Sequence, residues 1–119
     1  MARSWPTKSN WSSSAAWGDF DNNGSLDLYV AHYVNWSWEN HPPCGGQKPS
    51  EQEVCPPRRF DPVPHRLFLS ENNGEFRDGS AEFGLRNDGK GLGVVVADVD
   101  LDGRCDVYVG NDTVPNFLY

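Results

Sequence analysis

Two stretches of this chain are copies of one another. A copied stretch constrains the fold strongly, because a repeat is one supersecondary unit used more than once. "WGDFDNNGSLDLYVA", beginning at Trp17, aligns without a gap on "VADVDLDGRCDVYVG", beginning at Val96. Asp19 falls on Asp98, Asp21 on Asp100, Gly24 on Gly103, Asp27 on Asp106, Tyr29 on Tyr108 and Val30 on Val109, always at an offset of 79 (98 less 19). Between the copies, residues 35–64 are rich in Pro, Gly and polar side chains and read as an inserted loop, neither sheet nor helix. Without those 30 residues the unit is 49 long (79 less 30), near the ~50 residues of a kelch-type propeller blade.

The local signals are those of strands. Leu26, Leu28 and Val30 alternate along 25–32, and Cys105, Val107 and Val109 along 104–110, the period of a half-buried strand. "SSAAW" (13–17) and "GLGVVVA" (91–97) lead into the acidic stretches as short, mostly buried strands. "HRLFLS", "ENNG" and "EFRDGS" read as a hairpin with Asn73-Gly74 at the turn. No helical period is sustained anywhere. The expected fold is therefore all-β, built from antiparallel four-stranded propeller blades with acidic inter-strand loops and one long Cys/Pro-rich insertion. Residues 11–119 are expected to hold a partial propeller: one blade over about 13–80, carrying the insertion, and a second over about 91–119 that stops within its third strand. Closing a ring takes about four to eight blades, so the chain reads as a fragment of a larger propeller.

The acidic stretches have the residue types and spacing of an oxygen-ligand cation site. With Asp98 as position 1, side-chain oxygens fall at 1, 3, 5 and 9 (Asp98, Asp100, Asp102, Asp106), a glycine at 6 (Gly103) and a backbone carbonyl at 7 (Arg104). In the first copy the same places hold Asp19, Asp21, Asn23, Asp27, Gly24 and Ser25. Hard divalent cations take six to eight oxygens, and a tight loop with glycine at its bend supplies them. The absence of His and Cys from the set disfavours zinc and copper, and the ligand number favours Ca2+ over magnesium, giving two calcium sites, the Asn23 one weaker. An EF-hand needs a carboxylate at position 12 on a helix; here that position is Val30 or Val109, each on a strand. The plain alternative is a solvated Asp/Asn-Gly turn.

At these residues the chain resembles the FG-GAP/VCBS repeats of integrin-α-like β-propellers, whose blades carry D-x-D-x-D-G-x-x-D calcium loops. "CPPRRFDPVPHRLFLSENNGEFRD" and "GLRNDGKGLGVVVADVDLDGRCDVYVGNDTVPNFLY" are similar to the propeller of the ASPIC/UnbV group, which includes relatives of cartilage acidic protein. With "SAAWGDFDNNGSLDLYVAHYVNW" the likeness covers about residues 11–119. It implies a secreted or surface-exposed, calcium-stabilised module acting in binding or adhesion. The chain departs from the family at Asn23, which replaces an Asp. It also lacks a recognisable Phe-Gly…Gly-Ala-Pro signature and the downstream ASPIC/UnbV segment.

Composition narrows the function classes. A net charge of −7 argues against nucleic acid or an anionic membrane surface as partner, and no apolar run approaches the ~18 residues of a bilayer span. The N-terminal residues carry no apolar leader, so the protein is cytosolic or a leader-bearing segment lies outside this chain. Cys44 and Cys55 share the Pro/Gly-rich loop and read as a disulfide, hence an oxidising compartment, with two free thiols as the alternative; Cys105 reads as a small buried apolar residue. Together these expectations describe a secreted, periplasmic or surface module that binds an extracellular protein or glycan, not an enzyme. The competing reading is a propeller enzyme acting on polysaccharide, with paired carboxylates and His32, His41 or His65 as proton carriers. Trp36 and Trp38 are expected to pack the insertion onto the blade, with glycan stacking as the alternative. N-x-S/T triplets occur at Asn10, Asn23, Asn35 and Asn111.

Overall fold

A computed structural model describes residues 10–71 and 73–119; the first nine residues, on which the reading of the N-terminus above rests in part, lie outside the described part. The described chain is all-β, with two antiparallel sheets. The first sheet is four-stranded and takes its strands in chain order: β1 (Ser12–Gly18), β2 (Asp27–His32), β3 (Arg66–Ser70) and β4 (Phe76–Asp78). The second is three-stranded, again in order: β5 (Gly91–Ala97), β6 (Asp106–Asn111) and β7 (Phe117–Leu118). Valines supply much of β5 and β6 and an aromatic residue stands in every strand but β5, side chains that suit a pleated surface, while β1 is otherwise serine, alanine and glycine. The β3–β4 hairpin closes with the Glu71 N–H donating to the Glu75 carbonyl, and Gly74 takes the positive φ (78°) that the turn requires.

The repeat extends to the pairing register. Trp17 pairs with Leu28 as Val96 pairs with Val107, and both first strands have a register shift at the same place, Ser12/Ser14 and Gly91/Gly93. In the third strands Leu67 lies opposite Tyr29 and Leu118 opposite Tyr108, an offset of 51 (118 less 67). The repeating unit without its insertion is thus 51 residues long, against 49 read from the loop composition.

The two sheets bury opposite faces. In the first sheet the inward set is Tyr29, Ala31, Leu67 and Leu69; in the second it is Val107, Val109 and Phe117, and all seven form one core cluster. At equivalent positions of the repeat, therefore, one copy buries what the other exposes. The alternation of Leu26, Leu28 and Val30 does not mark the buried face: Leu26 is exposed, Leu28 and Val30 are half-buried, and Asp27, Tyr29 and Ala31 point into the core. The physical reason is that both faces of these strands are apolar, so the neighbouring sheet, and not the alternation, selects the inner one. β5 packs on β1 and β2. The Ser13 hydroxyl donates to the Gly91 carbonyl at 2.7 Å, and a Cβ on Gly18 would lie 3.2 Å from Val96 Cγ1. β1 and β5 therefore run the same way, which puts the loops after Gly18 and Ala97 at the same end. Among the described residues only one face of each sheet is covered by the other sheet, and the radius of gyration is 17.0 Å, against about 13.5 Å for a compact chain of this length.

The insertion is held at three points. Cys44 and Cys55 are disulfide-bonded with Cα atoms 5.3 Å apart, and closing so short a loop contributes about 3 kcal/mol. The Val34–Pro62 bridge holds its base, and the buried Lys90 donates to the Pro57 carbonyl at 2.9 Å. It is not wholly irregular, since single 3-10 turns form at Pro49–Glu51 and Pro57–Arg59, each started by a proline. Trp36 packs edge-on at 5.8 Å to Trp11, the residue before β1, but Trp38 is 82% exposed because its neighbour is Trp36 and not the sheet. Cys105 is exposed, contrary to expectation: it precedes the first paired residue of β6 and lies at the margin of the inter-sheet contact.

His65 is the polar centre of that contact. It is buried, its Nδ1 shares a 2.8 Å hydrogen bond with the Tyr29 hydroxyl, and its Nε2 has no partner. Burial, with the nearby His32 adding a like charge, lowers its pKa from 6.5 to about 4. The unfolded chain takes up a proton below about pH 6.5 while folded His65 stays neutral until about pH 4, so this residue removes stability as pH falls through that window. The loss amounts to about 3 kcal/mol at the acid end. In the second sheet the equivalent position is Asn116, whose Nδ2 donates to the Tyr108 hydroxyl at 2.6 Å. The His65→Asn variant, which keeps a partner for Tyr29, is expected to show a shallower fall in unfolding free energy between pH 6.5 and 4 than the parent. Denaturant titration at a series of pH values measures this, and parallel profiles would remove His65 as the cause.

Candidate metal centres

Each acidic stretch is a loop wrapped around its own carboxylates, and the two share the same set of bonds from loop backbone N–H groups to side-chain oxygens. Asp19 accepts from the N–H groups of Asn23 (3.0 Å) and Gly24 (2.9 Å); Asp98 accepts from Asp102 (3.0 Å) and Gly103 (2.9 Å). Asp21 accepts from the Asn23 N–H at 3.1 Å, and Asp100 from the Asp102 N–H at 3.2 Å. Asn23 Oδ1 and Asp102 Oδ1 accept from Ser25 and Arg104, both at 2.8 Å. Asp27 and Asp106 reach back to the Phe20 N–H (2.9 Å) and the Val99 N–H (2.7 Å). The backbone repeats too: φ is positive at Asn22 (58°) and Leu101 (63°), and at Gly24 and Gly103 (84° each). Glycine is needed at 24 and 103 because an L side chain would be strained there, while Leu101 holds the left-handed region despite its bulk.

Carboxylate oxygens of Asp19, Asp21 and Asp27 lie within 4.8 Å of one another, and so do those of Asp98, Asp100 and Asp106. Like charges at that spacing repel by about 3 kcal/mol per pair at an effective dielectric of ~20, less where water and salt screen them. The Asp102 carboxylate is not in its cluster; it caps the Arg104 N–H and lies 4.0 Å from the Arg104 guanidinium. Asn23 Nδ2 donates to Asp21 Oδ2 at 3.0 Å and to the Ser70 carbonyl at 3.3 Å. Ser25 and Arg104 follow the glycines in the turn, tied through their N–H groups. Three all-oxygen donors converge in each loop, which suits a hard cation and not zinc or copper.

The two sites differ at their inner ends. Asp27 is fully buried, and its Oδ1 accepts a further bond from the Ser70 N–H at 2.8 Å, so one carboxylate joins the loop, β2 and β3. Asp106 is half-buried. The sequence did not reveal that Ser70, Glu71, Asn73 and Arg77 line an open depression beside Asp21 and Asn23. They come from the β3–β4 hairpin, more than 40 residues on in sequence, and reach the loop through Ser70, whose carbonyl and N–H bond Asn23 and Asp27. At the opposite end the Tyr33 hydroxyl donates to Asp112 at 2.6 Å, and burial together with that carboxylate pushes the phenol up to about 12.

The histidines weighed as proton carriers are engaged elsewhere. His32 ends β2 and pairs with the Pro64 carbonyl at 2.7 Å; burial lowers its pKa. His41 bonds the Trp36 indole at 2.8 Å, and His65 bonds Tyr29. None of the three hydrogen-bonds a carboxylate among the described residues. Comparison of the chain with protein-family models, curated proteins and solved structures finds no match.

The buried and exposed carboxylates are expected to respond differently to removal. Asp27→Ala leaves the Phe20 and Ser70 N–H groups without their acceptor, at about 1–3 kcal/mol each. Asp98→Ala frees N–H groups that water reaches. Denaturant unfolding in the presence of a chelator is expected to show a loss of about 3 kcal/mol or more for Asp27→Ala and under about 1 kcal/mol for Asp98→Ala. Equal losses would mean that Asp27 has no special structural part.

Proposed function

We propose that the chain is a pair of adjacent blades of a calcium-stabilised β-propeller of the FG-GAP/VCBS kind, close to the ASPIC/UnbV group. On this reading it serves as an extracellular module that binds a protein or glycan. The observation that carries this reading is that the two acidic loops share their backbone-to-side-chain bonds, with three carboxylates converging at each of two sites 79 residues apart (98 less 19). A solvated turn needs glycine and one Asx side chain; it does not need three mutually repelling carboxylates twice over. Asp19, Asp21 and Asp27 would hold one ion and Asp98, Asp100 and Asp106 the other, with Asn23, Asp102 and the carbonyls of Ser25 and Arg104 as further oxygen donors. A bound calcium ion neutralises the cluster and fixes the strand-to-strand turn; its part is structural, not catalytic.

Antiparallel sheets stacked face to face, with both acidic loops at one end, fit neighbouring blades. The Cys44–Cys55 disulfide fits an oxidising compartment. No helix among the described residues is long and apolar enough to cross a membrane. Catalysis on polysaccharide has less support, because nearly all the close-set aspartates that could pair as acid and base are the ones the loops use.

Calcium titration tests the reading. Extracellular calcium modules bind at about 10⁻⁴–10⁻³ M. Calorimetry on the parent chain is expected to show two sites and a raised Tm, with magnesium much weaker; Asp98→Ala is expected to lose one site and keep the other. If millimolar calcium gives neither heat nor a Tm shift in a folded parent chain, the loops are turns only.

A further inference from the structure

The opposite-face packing of the two sheets leaves each with an outer face that copies a face already buried inside the molecule. Tyr29 and Leu67, 1% and 2% exposed, face inward from the first sheet; their equivalents Tyr108 and Leu118, on the outside of the second sheet, are 43% and 58% exposed. Conversely, Val107 and Val109 are buried in the second sheet, while Leu28 and Val30 line the outside of the first beside the 54%-exposed Trp17. Sheet two therefore ends in a surface that shares its tyrosine and leucine with the one sheet one buries, and sheet one ends in a surface that shares its aliphatic β2 positions with the one sheet two buries.

We infer that the outer face of the three-stranded sheet docks on the outer face of the four-stranded sheet of a second copy of this chain, head to tail, repeating the contact made between the two sheets within one copy. The match in residue type follows from the repeat at Trp17, Leu28 and Val30, the equivalents of Val96, Val107 and Val109; it stops at Arg66, ion-paired to Asp78, where the second sheet buries Phe117, so the docked face covers one ion pair at its margin. The contact is heterologous, since different patches meet, so copies add in a chain or close into a ring. The geometry also fixes a touching pair. Within the chain a Cβ added at Gly18 would lie 3.2 Å from Val96 Cγ1, closer than ordinary contact; 79 positions on, Ala97 supplies that Cβ and Trp17 stands in place of the valine, so Ala97 of one copy faces Trp17 of the next with the strands set slightly further apart. The inference goes beyond the binding role proposed above and holds whether or not the loops take up calcium.

Sedimentation velocity on the full chain tests it with one variant per face: Val95→Glu on the second sheet and Trp17→Glu on the first. The parent is expected to sediment heavier than a monomer, increasingly so with concentration. Each variant alone is expected to remain monomeric, because every contact needs one face of each kind. An equimolar mixture is expected to stop at a heterodimer of twice the monomer mass. A monomeric parent, a variant that still self-associates (as pairing through strand edges or through one self-complementary face would require), or a mixture that stays monomeric each overturns the inference. Should either Glu variant lose its circular dichroism, Ala97→Cys and Trp17→Cys chains in a Cys105→Ser background decide the matter. Mixed in oxidised glutathione, which takes up the two electrons, they are expected to give a disulfide heterodimer in excess over either homodimer; no such excess overturns it.

Discussion

A sheet with apolar side chains on both faces cannot stand alone in water, and that constraint organises this molecule. Tyr29, Leu67 and Leu69 on one face of the first sheet find cover only because Val107, Val109 and Phe117 of the second sheet lie against them. Each such side chain contributes about 1.5–3 kcal/mol when fully removed from water. The contact admits little variation at its centre. A Cβ on Gly91 would come within 2.9 Å of Ala31 Cβ, and one on Gly89 within 2.5 Å of the Phe117 ring. The "GKGLG" stretch is therefore glycine-rich where the second sheet approaches His65 and Ala31, with Lys90 between the glycines turned toward the insertion.

The acidic loops are coupled to that core through one atom group. Asp27 sits at the inner end of its loop and on the inner face of β2, next to Tyr29, and binds backbone N–H groups of both the loop and β3. Whatever stabilises the loop is thereby transmitted to the four-stranded sheet. In the second copy Asp106 makes the loop contact and stands half-buried, so its loop is tied to the core less firmly. The copy with the fuller set of carboxylates in sequence, which has Asp102 where the first has Asn23, is the one with the looser anchor.

Much of the architecture was legible in the sequence because it was written twice. The repeat located β1, β2, β5 and β6, and the Asn73-Gly74 turn located the β3–β4 hairpin. The insertion was visible from Pro and Gly content, and its disulfide from two cysteines that share a loop. The buried face was not legible. Alternation reports that a strand has an apolar side; in β2, where Leu28 and Val30 on one side compete with Tyr29 and Ala31 on the other, only the neighbouring sheet decides. The exposures of Cys105 and Trp38 were misread for the same reason, since each depends on how far a non-local surface reaches. The carboxylate clusters could be read from spacing, but the exclusion of Asp102 could not: its side chain prefers the Arg104 N–H two residues ahead, a local bond that competes with convergence on the cluster.

His65 shows how far the two copies have diverged while keeping one geometry. The residue before the third strand hydrogen-bonds the tyrosine hydroxyl of the second strand in both sheets, as His65 with Tyr29 and as Asn116 with Tyr108. In the first sheet that pair is buried between the sheets, with the His65 ring 5.9 Å from Phe117 and its Nε2 unpartnered. In the second sheet Tyr108 is exposed, and Asn116 also accepts the Asn111 N–H at 2.8 Å. An imidazole fills the closed inter-sheet gap better than an amide and adds an aromatic edge, at the cost of a buried polar atom. On an open face that gain disappears, and the smaller amide satisfies both the hydroxyl and the backbone. Burial of one face and exposure of its copy thus account for the residue chosen at each position.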